Sequence, residues 1–260
     1  MVVGPNRSCV STELVLSPEL FLKSSGTGPR MRIGILLDGF VLSRFFQQVV
    51  EHIQRCNLAS IELLVVNGAA DSPRPAASQS KLRTLAAVLK DPKRRSLLGY
   101  TLYQNFDARY FPLENDPLES MDCSEQLASI DVLRVNPIAK GFVDRFTAED
   151  VAQIRGYRLD VLLRFGFNIL KGDILTAAKY GIWSYHHGDN EFYRGGPALF
   201  WELVEANELS GVILQILSEE LDGGKVLAKA LFATRHGLSL RRNRYSPYSG
   251  SVASCPMHRF

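Results

Sequence analysis

A chain of 260 residues is long enough for one large α/β domain or two small ones. With 46% hydrophobic and 22% charged residues and a net charge of +3, it has an ordinary globular composition. That charge is too small to argue for a nucleic-acid or membrane partner, and no apolar run approaches the ~20 residues that span a bilayer.

Residues 1–30 carry Ser, Gly and Pro and end in Ser24-Ser25-Gly26-Thr27-Gly28-Pro29. Glu13 and Glu19 interrupt their short apolar run and no basic region precedes it, so this is not a secretory signal. The expectation is a disordered leader, or an upstream extension before a start at Met31. From Met31 the pattern is regular. Ile33 to Leu37 reads as a buried parallel strand ended by Asp38-Gly39. Val41 to Cys56 places Phe45, Val49 and Ile53 on one helical face. Ile61 to Val66 is a second buried strand, which completes a βαβ unit.

The stretch 69–126 interrupts this alternation. It holds Pro73, Pro75, Pro92, Pro112 and Pro117, a basic cluster at Lys93-Arg94-Arg95 that reads as a solvated face, and an aromatic-rich helical run from Leu97 to Phe111. An insertion or lid over the sheet is expected there. Regularity returns with a strand at Ile130 to Val135 and a helix opened by Thr147 and Asp150 as an approximate capping box. Leu159 to Phe165 is a strongly apolar strand, Asp173 to Tyr180 a short helix and Ile182 to Tyr185 a strand. Pro197 to Ala206 reads as a helix with Pro in its first turn. Val212 to Leu217 and Val226 to Phe232 form a predicted hairpin across Leu221-Asp222-Gly223-Gly224. Residues 235–260 read as a basic, irregular tail with Arg241, Arg242 and Arg244. The predicted class is therefore α/β, with a Rossmann-like, mostly parallel sheet in residues 31–234 and a helical insertion.

Two ligand classes fall away on spacing. Gly26-x-Gly28 precedes the first strand, whereas a dinucleotide fingerprint must follow it, and Asp38-Gly39-Phe40 is not a glycine-rich phosphate loop. Cys9, Cys56, Cys123 and Cys255 are scattered without paired metal spacing, and the histidines lack a third ligand at sensible distance, so no metal site is expected. Reduced thiols and a cytoplasmic location are the expectation.

The informative segment is Gly181 to Pro197. A buried strand delivers His186 and His187, and a polar loop then closes with Tyr193-Arg194-Gly195-Gly196. The carboxyl end of a parallel strand faces the crevice where such sheets bind ligands, and imidazole suits proton transfer near neutral pH. Adjacent strand residues point to opposite faces, so His187 is expected to be structural or to support the site from behind. Downstream, Asp222 occupies the predicted hairpin turn; a carboxylate beside a histidine orients it and favours its charged form.

These motifs, in this order, resemble the formyltransferase family that uses 10-formyltetrahydrofolate. That family carries Asn-x-His, then Arg-Gly or a similar pair eight residues after the His, then Leu-Asp-x-Gly with the catalytic aspartate. Here His186, Arg194-Gly195 and Leu221-Asp222-Gly223-Gly224 stand at those positions, and Phe165-Gly166-Phe167-Asn168-Ile169-Leu170 is similar to the family's folate-side loop. The resemblance runs from about Met31 to Thr234 and is specific from Leu159 onward.

The resemblance implies transfer of a formyl group to a primary amine of a small molecule, without a nucleic-acid or membrane partner. His186 would be the general acid/base and oxyanion donor, Asp222 its partner, and Ser184 a diminished donor where the family has asparagine. Phe167, Asn168, Ile169, Leu170, Glu220 and Leu221 would bind the donor, and Asn190, Arg194 and Gly195 the acceptor. Losing one oxyanion donor typically costs about 100- to 1,000-fold in rate. Ser184 therefore leaves three readings: a slower enzyme, a site rebuilt with Asn190 or Asn168, or a silent folate- or sugar-binding module. A working enzyme is the expectation, with formyltetrahydrofolate hydrolysis as its nearest enzymatic rival. An amino sugar or sugar nucleotide is expected over methionyl-tRNA, because no separate carboxyl-terminal domain of the tRNA-directed kind is recognisable. Trp183 and Phe200-Trp201 are expected in the core, and the tail arginines in solvent.

Overall fold

The computed structural model describes residues 30–68, 92–220 and 223–253. In chain order they form β1 (Met31–Leu37), β2 (Val41–Ser43), α1 (Arg44–Arg55), β3 (Ala59–Asn67), α2 (Pro92–Tyr110), β4 (Ser120–Asp122), α3 (Ser124–Leu127), β5 (Asp131–Val135), β6 (Ile138–Lys140) and β7 (Val143–Arg145). There follow α4 (Ala148–Gly156), β8 (Val161–Arg164), β9 (Ile169–Leu170), a 3₁₀ turn (Asp173–Thr176), β10 (Ile182–His187), α5 (Phe200–Val204), β11 (Leu209–Ile216), β12 (Lys225–Ala233) and α6 (Leu240–Ala253).

Seven strands make one sheet in the order β12-β11-β10-β8-β1-β3-β5. β10, β8, β1, β3 and β5 run parallel, and β11 and β12 add an antiparallel hairpin at one edge. The chain builds outward from β1 to β3 and β5, then returns to lay β8 and β10 on the other side of β1. The reversal falls between β1 and β8, where a parallel sheet opens its ligand crevice at the carboxyl ends of the strands. The mostly parallel α/β sheet predicted from the apolar runs is present.

Each face of the sheet has its own core. Ile33, Ile35 and Leu37 of β1, Val161 and Leu163 of β8, and Trp183 of β10 pack with Phe45, Val49 and Ile53 of α1. Leu36, Leu162 and Ile182 point to the other face and pack with Val151, Ile154, Phe167 and Leu170. Alternation along the strands puts every second side chain in one of these clusters, so both faces are apolar and the strands read as continuous hydrophobic runs.

Several expectations need correction. The predicted helix from Val41 begins only at Arg44, because Val41–Ser43 pairs antiparallel with β4 and Ser43 caps the helix by accepting from Phe46 N–H at 3.4 Å. At the carboxyl end of the expected insertion (69–126), Cys123 is buried in the main core, as is Leu127 just beyond it. The helix expected over Asp173 to Tyr180 shrinks to the 3₁₀ turn, and that over Pro197 to Ala206 to α5, which starts after Leu199 adopts a left-handed conformation (φ 60°). Residues 240–253, expected to be irregular, are helical: Arg244 donates to the Ala198 carbonyl and the Tyr100 hydroxyl, and Arg241 pairs with Asp116 at 2.7 Å. Those two arginines therefore serve as internal ties, where solvated side chains were expected. No described helix is long and apolar enough to cross a membrane.

Candidate functional site

β10 sorts its side chains by alternation. Ser184 and His186 share the face of Ile182, while Trp183, Tyr185 and His187 face α1. Ser184 is 3% exposed and stands in register between Arg164 of β8 and Gln215 of β11. The Arg164 guanidinium donates to Ser184 Oγ at 3.3 Å and to the carbonyls of Phe167 and Asn168 at 3.0 Å each. Gln215 is buried at 2% exposure, and its Oε1 has no hydrogen-bond partner among the described residues. His186 Nε2 lies 3.2 Å from the Tyr193 carbonyl, a contact that places a proton on Nε2. A Cβ at Gly188 would come within 3.1 Å of that nitrogen, so the glycine lets the following loop fold back onto the imidazole.

His187 belongs to the opposite face. Its ring stacks on Tyr248 of α6 at 3.5 Å, meets Phe45 edge-on and lies 3.4 Å from Ser251 Oγ. Burial pushes its imidazole down to about 3, and the charges of His186 and Arg244 act in the same direction. An unfolded His187 titrates near 6.5, so stability is full above that pH and falls as pH drops from about 6.5 towards 3. One such group changes the unfolding free energy by about 1.4 kcal/mol per pH unit in this window. Urea unfolding at pH 7 and pH 5 is expected to show the wild type losing about 2 kcal/mol more than His187→Phe. Equal losses would place the titration elsewhere.

The loop after β10 is braced from several sides. Asp189 pairs with Lys229 of β12 at 2.8 Å, and the Tyr193 hydroxyl donates to Glu205 at 3.0 Å. Arg194 is exposed and donates from Nε to the Asn190 carbonyl at 3.1 Å; Gly195 is exposed with φ 89°. These three predicted acceptor residues therefore lie together on the outer part of the loop. Trp201, expected in the core, is 43% exposed. Its neighbour Glu202 is 1% exposed, and its Oε1 has no hydrogen-bond partner among the described residues. Burial pushes the Glu202 carboxyl above the usual carboxylate range, with the His186 charge opposing and Asp189 reinforcing the shift.

The loop predicted to bind the donor leaves β8 through Gly166, whose missing side chain matters: a Cβ there would stand 2.4 Å from Asp38 N and 2.7 Å from the Leu37 carbonyl carbon. This approach allows Phe167 N–H to donate to Asp38 Oδ1 at 2.9 Å, which also accepts from the Asn67 amide. Phe167 and Leu170 are buried in the core, and Ile169 is half-buried in β9, which pairs with β7. Asn168 is exposed, and both its backbone N–H and its amide go to buried Asp144. That commitment takes Asn168 out of the role of replacement oxyanion donor. Gly172 N–H donates to Glu219 at 2.7 Å, which brings the β11–β12 turn against this loop. Glu220 is exposed on that turn; Leu221 and Asp222 lie outside the described residues. Gly166→Ala is expected to push the loop off β1 and to cost about 1–3 kcal/mol of stability, read by urea unfolding. An unchanged denaturation midpoint would show that the loop can shift away from β1 without loss.

Sequence reasoning missed Arg164, Gln215 and Glu202. Arg164 left one signal, a cation directly after the apolar run Val161 to Leu163. Gln215 left the same kind of signal, a lone amide in an apolar strand. Glu202 left none, because only the short helix shows which side it buries. Among the described residues no cluster of three or more His, Cys, Asp or Glu could hold a metal ion.

No protein-family model matches the chain. It is 28% identical over 139 residues to methionyl-tRNA formyltransferase of Prochlorococcus marinus (strain NATL2A), covering 52% of this chain and 39% of that protein. It is 31% identical over 78 residues to the methionyl-tRNA formyltransferase of Lachnospira eligens, covering 30% of this chain and 25% of that one. The match thus spans well under half the length of these curated relatives. Among solved structures, glycinamide ribonucleotide transformylase 1 from Geobacillus kaustophilus superposes with a TM-score of 0.56 at 15% identity, over 88% of this chain and 96% of that one. Formyltetrahydrofolate deformylase from Burkholderia mallei gives 0.51 at 11% identity, over 87% and 63%. At such identities the structures speak for the fold alone.

Proposed function

We propose that this chain is a formyltransferase of the 10-formyltetrahydrofolate-dependent kind, transferring a formyl group from that donor to a primary amine of a small molecule; its likeness to methionyl-tRNA formyltransferases and its fold support this reading. The observation that carries this reading is the placement of Ser184 and His186 on one face at the carboxyl end of β10, beside the crevice at the sheet's reversal. In this reading the amine nitrogen bonds to the formyl carbon and the carbonyl electron pair moves onto oxygen. Collapse then breaks the bond between that carbon and the folate nitrogen, and the proton given up by the amine is passed to the departing nitrogen through His186. Asp222, at the catalytic aspartate position of the motif the chain resembles, is proposed as the carboxylate partner of His186.

The folate is a substrate. Its donor half is proposed to lie between the loop at 166–170 and the turn that carries Glu219 and Glu220, two segments already joined by the Gly172–Glu219 hydrogen bond. Asn190, Arg194 and Gly195 are proposed to meet the acceptor. For its class we favour an amino sugar, free or nucleotide-linked. A cavity of about 440 Å³ at the carboxyl end of β1 is lined by Asp38, Phe40, Ser43, Phe46 and Phe165, among others. Phe46 and Phe165 stack at 4.2 Å, and none of the described residues lining the cavity is basic. Aromatic faces with a carboxylate suit a hydroxylated ring better than a bare phosphate.

The test is an assay with 10-formyltetrahydrofolate and four amines: glucosamine, a nucleotide-linked amino sugar, glycinamide ribonucleotide and methionyl-tRNA. Formylated product is read by mass spectrometry. Product from either sugar supports the full reading, and product from another amine corrects only the acceptor. Formate release without any amine identifies a hydrolase. Folate binding without turnover on any amine would overturn the enzymatic reading.

A further inference from the structure

We propose that the Arg164 guanidinium is the oxyanion-stabilising group of this site, standing in for the asparagine amide that the family places where this chain has Ser184. The inference rests on the formyl-transfer reading above and names the residue that keeps such a site working.

Three observations converge on it. Arg164 and Ser184 are register partners on adjacent parallel strands, and the alternation that sends Leu162 and Ile182 to one core sends Arg164, Ser184 and His186 to that same face. The guanidinium is thus one strand away from the serine and on the histidine's side, within the ~5 Å that separates neighbouring strands. Secondly, its plane is fixed: two carbonyls from the donor-side loop, Phe167 and Asn168, each accept at 3.0 Å, and Ser184 Oγ accepts at 3.3 Å. A donor held before the reaction needs no reorganisation when negative charge develops, and this is how oxyanion sites act. Thirdly, Ser184 is poorly suited to the task alone. Its hydroxyl is short and buried, and it donates to its neighbour's carbonyl, Tyr185 O, at 3.4 Å. A small residue on β10 and a long cation on β8 exchange volume and donors across one register pair, so an N–H donor is kept while a full positive charge is added. Charge-assisted hydrogen bonds are roughly twice as strong as neutral ones.

The alternative role for Arg164 is mechanical, a clamp on the carbonyls of the donor-side loop. The two roles predict different kinetics. Steady-state measurements would use 10-formyltetrahydrofolate with the best of the four amines, alongside the affinity for 5-formyltetrahydrofolate by fluorescence titration. Arg164→Gln is expected to lower kcat about 100-fold while that affinity stays within threefold. Ser184→Ala is expected to cost less than tenfold, because the hydroxyl is only the seat of the guanidinium. Adding Ser184→Asn to Arg164→Gln is expected to recover at least tenfold in kcat, by returning the family's amide. The proposal is overturned if Arg164→Gln keeps kcat within threefold of wild type, or if its loss appears only as weaker folate binding that Ser184→Asn does not rescue. Ser184→Ala removes a single hydroxyl and decides the matter even where Arg164→Gln does not fold, since a loss of tenfold or more there makes Ser184 the donor. A wild type without turnover on any amine removes the underlying reading as well, and is distinguishable because it precedes every variant.

Discussion

His186→Ala is expected to lower formyl transfer by at least about 1,000-fold in kcat, while the protein unfolds within about 1 kcal/mol of wild type. Two losses combine in that figure. A positioned general acid/base contributes about 100- to 10,000-fold, and an oxyanion donor about 100- to 1,000-fold. They act on one transition state, so their product is an upper bound. The small stability change follows from the surroundings: the imidazole is half-buried and hydrogen-bonds the Tyr193 carbonyl, and a typical intramolecular hydrogen bond is worth about 1 kcal/mol net. Product formation by mass spectrometry and urea unfolding measure the two quantities separately. A variant that still turns over within tenfold of wild type would remove His186 from the chemistry and leave it as the loop's anchor.

Phe45→Ala is expected to cost about 3–5 kcal/mol of stability, a large share of the roughly 5–15 kcal/mol that holds a typical native protein together. Phe45 is fully buried on α1 at the meeting point of three elements. Its ring makes edge contacts with Tyr185 and His187 of β10 at 5.1 and 5.4 Å and with Tyr248 of α6 at 5.6 Å. Removing it leaves a cavity beneath the strand that carries Ser184 and His186. Phe45→Leu is expected to restore most of the loss, since it returns apolar volume. A denaturation midpoint for Phe45→Ala that corresponds to less than 1 kcal/mol would mean that β10 is held chiefly by its sheet neighbours.

The parts of the fold that sequence reading found are those with a local cause. Ile33 to Leu37, Leu63 to Val66 and Val161 to Leu163 are apolar runs because both faces of the sheet are covered. Thr147 capped its helix as expected, accepting from Asp150 N–H at 3.1 Å, because a cap is decided within four residues. The opposite orientation of His186 and His187 likewise followed from strand alternation alone. What stayed hidden depends on distant partners. The ladders β2–β4 and β6–β7–β9 have two or three residues per strand, too few to leave a pattern. Helix α6 contains Pro247 and Gly250 and a polar amino-terminal turn, so its sequence resembles a loop; tertiary bonds sustain it, among them Asn243 to the Arg235 carbonyl and Arg244 to Ala198. In the site, the serine in place of asparagine was visible, but its partner Arg164 is 20 residues away and became legible only through the register of β8 on β10.

The placement of β8 between β1 and β10 also sets an order of events during synthesis. β1 can pair with β3 almost at once, yet its other edge waits for β8; Arg32 and Asp160, hydrogen-bonded at the start of that pairing, are 128 residues apart. At ribosomal rates of about 5–20 residues per second, the edge of Ile33–Leu36 stays open for roughly 6–25 s. An apolar strand with unpaired backbone groups is a template for pairing with other chains. Nascent chains halted before residue 160 are therefore aggregation-prone in a way the finished protein is not, and the crevice at the sheet's centre is among the last features to form.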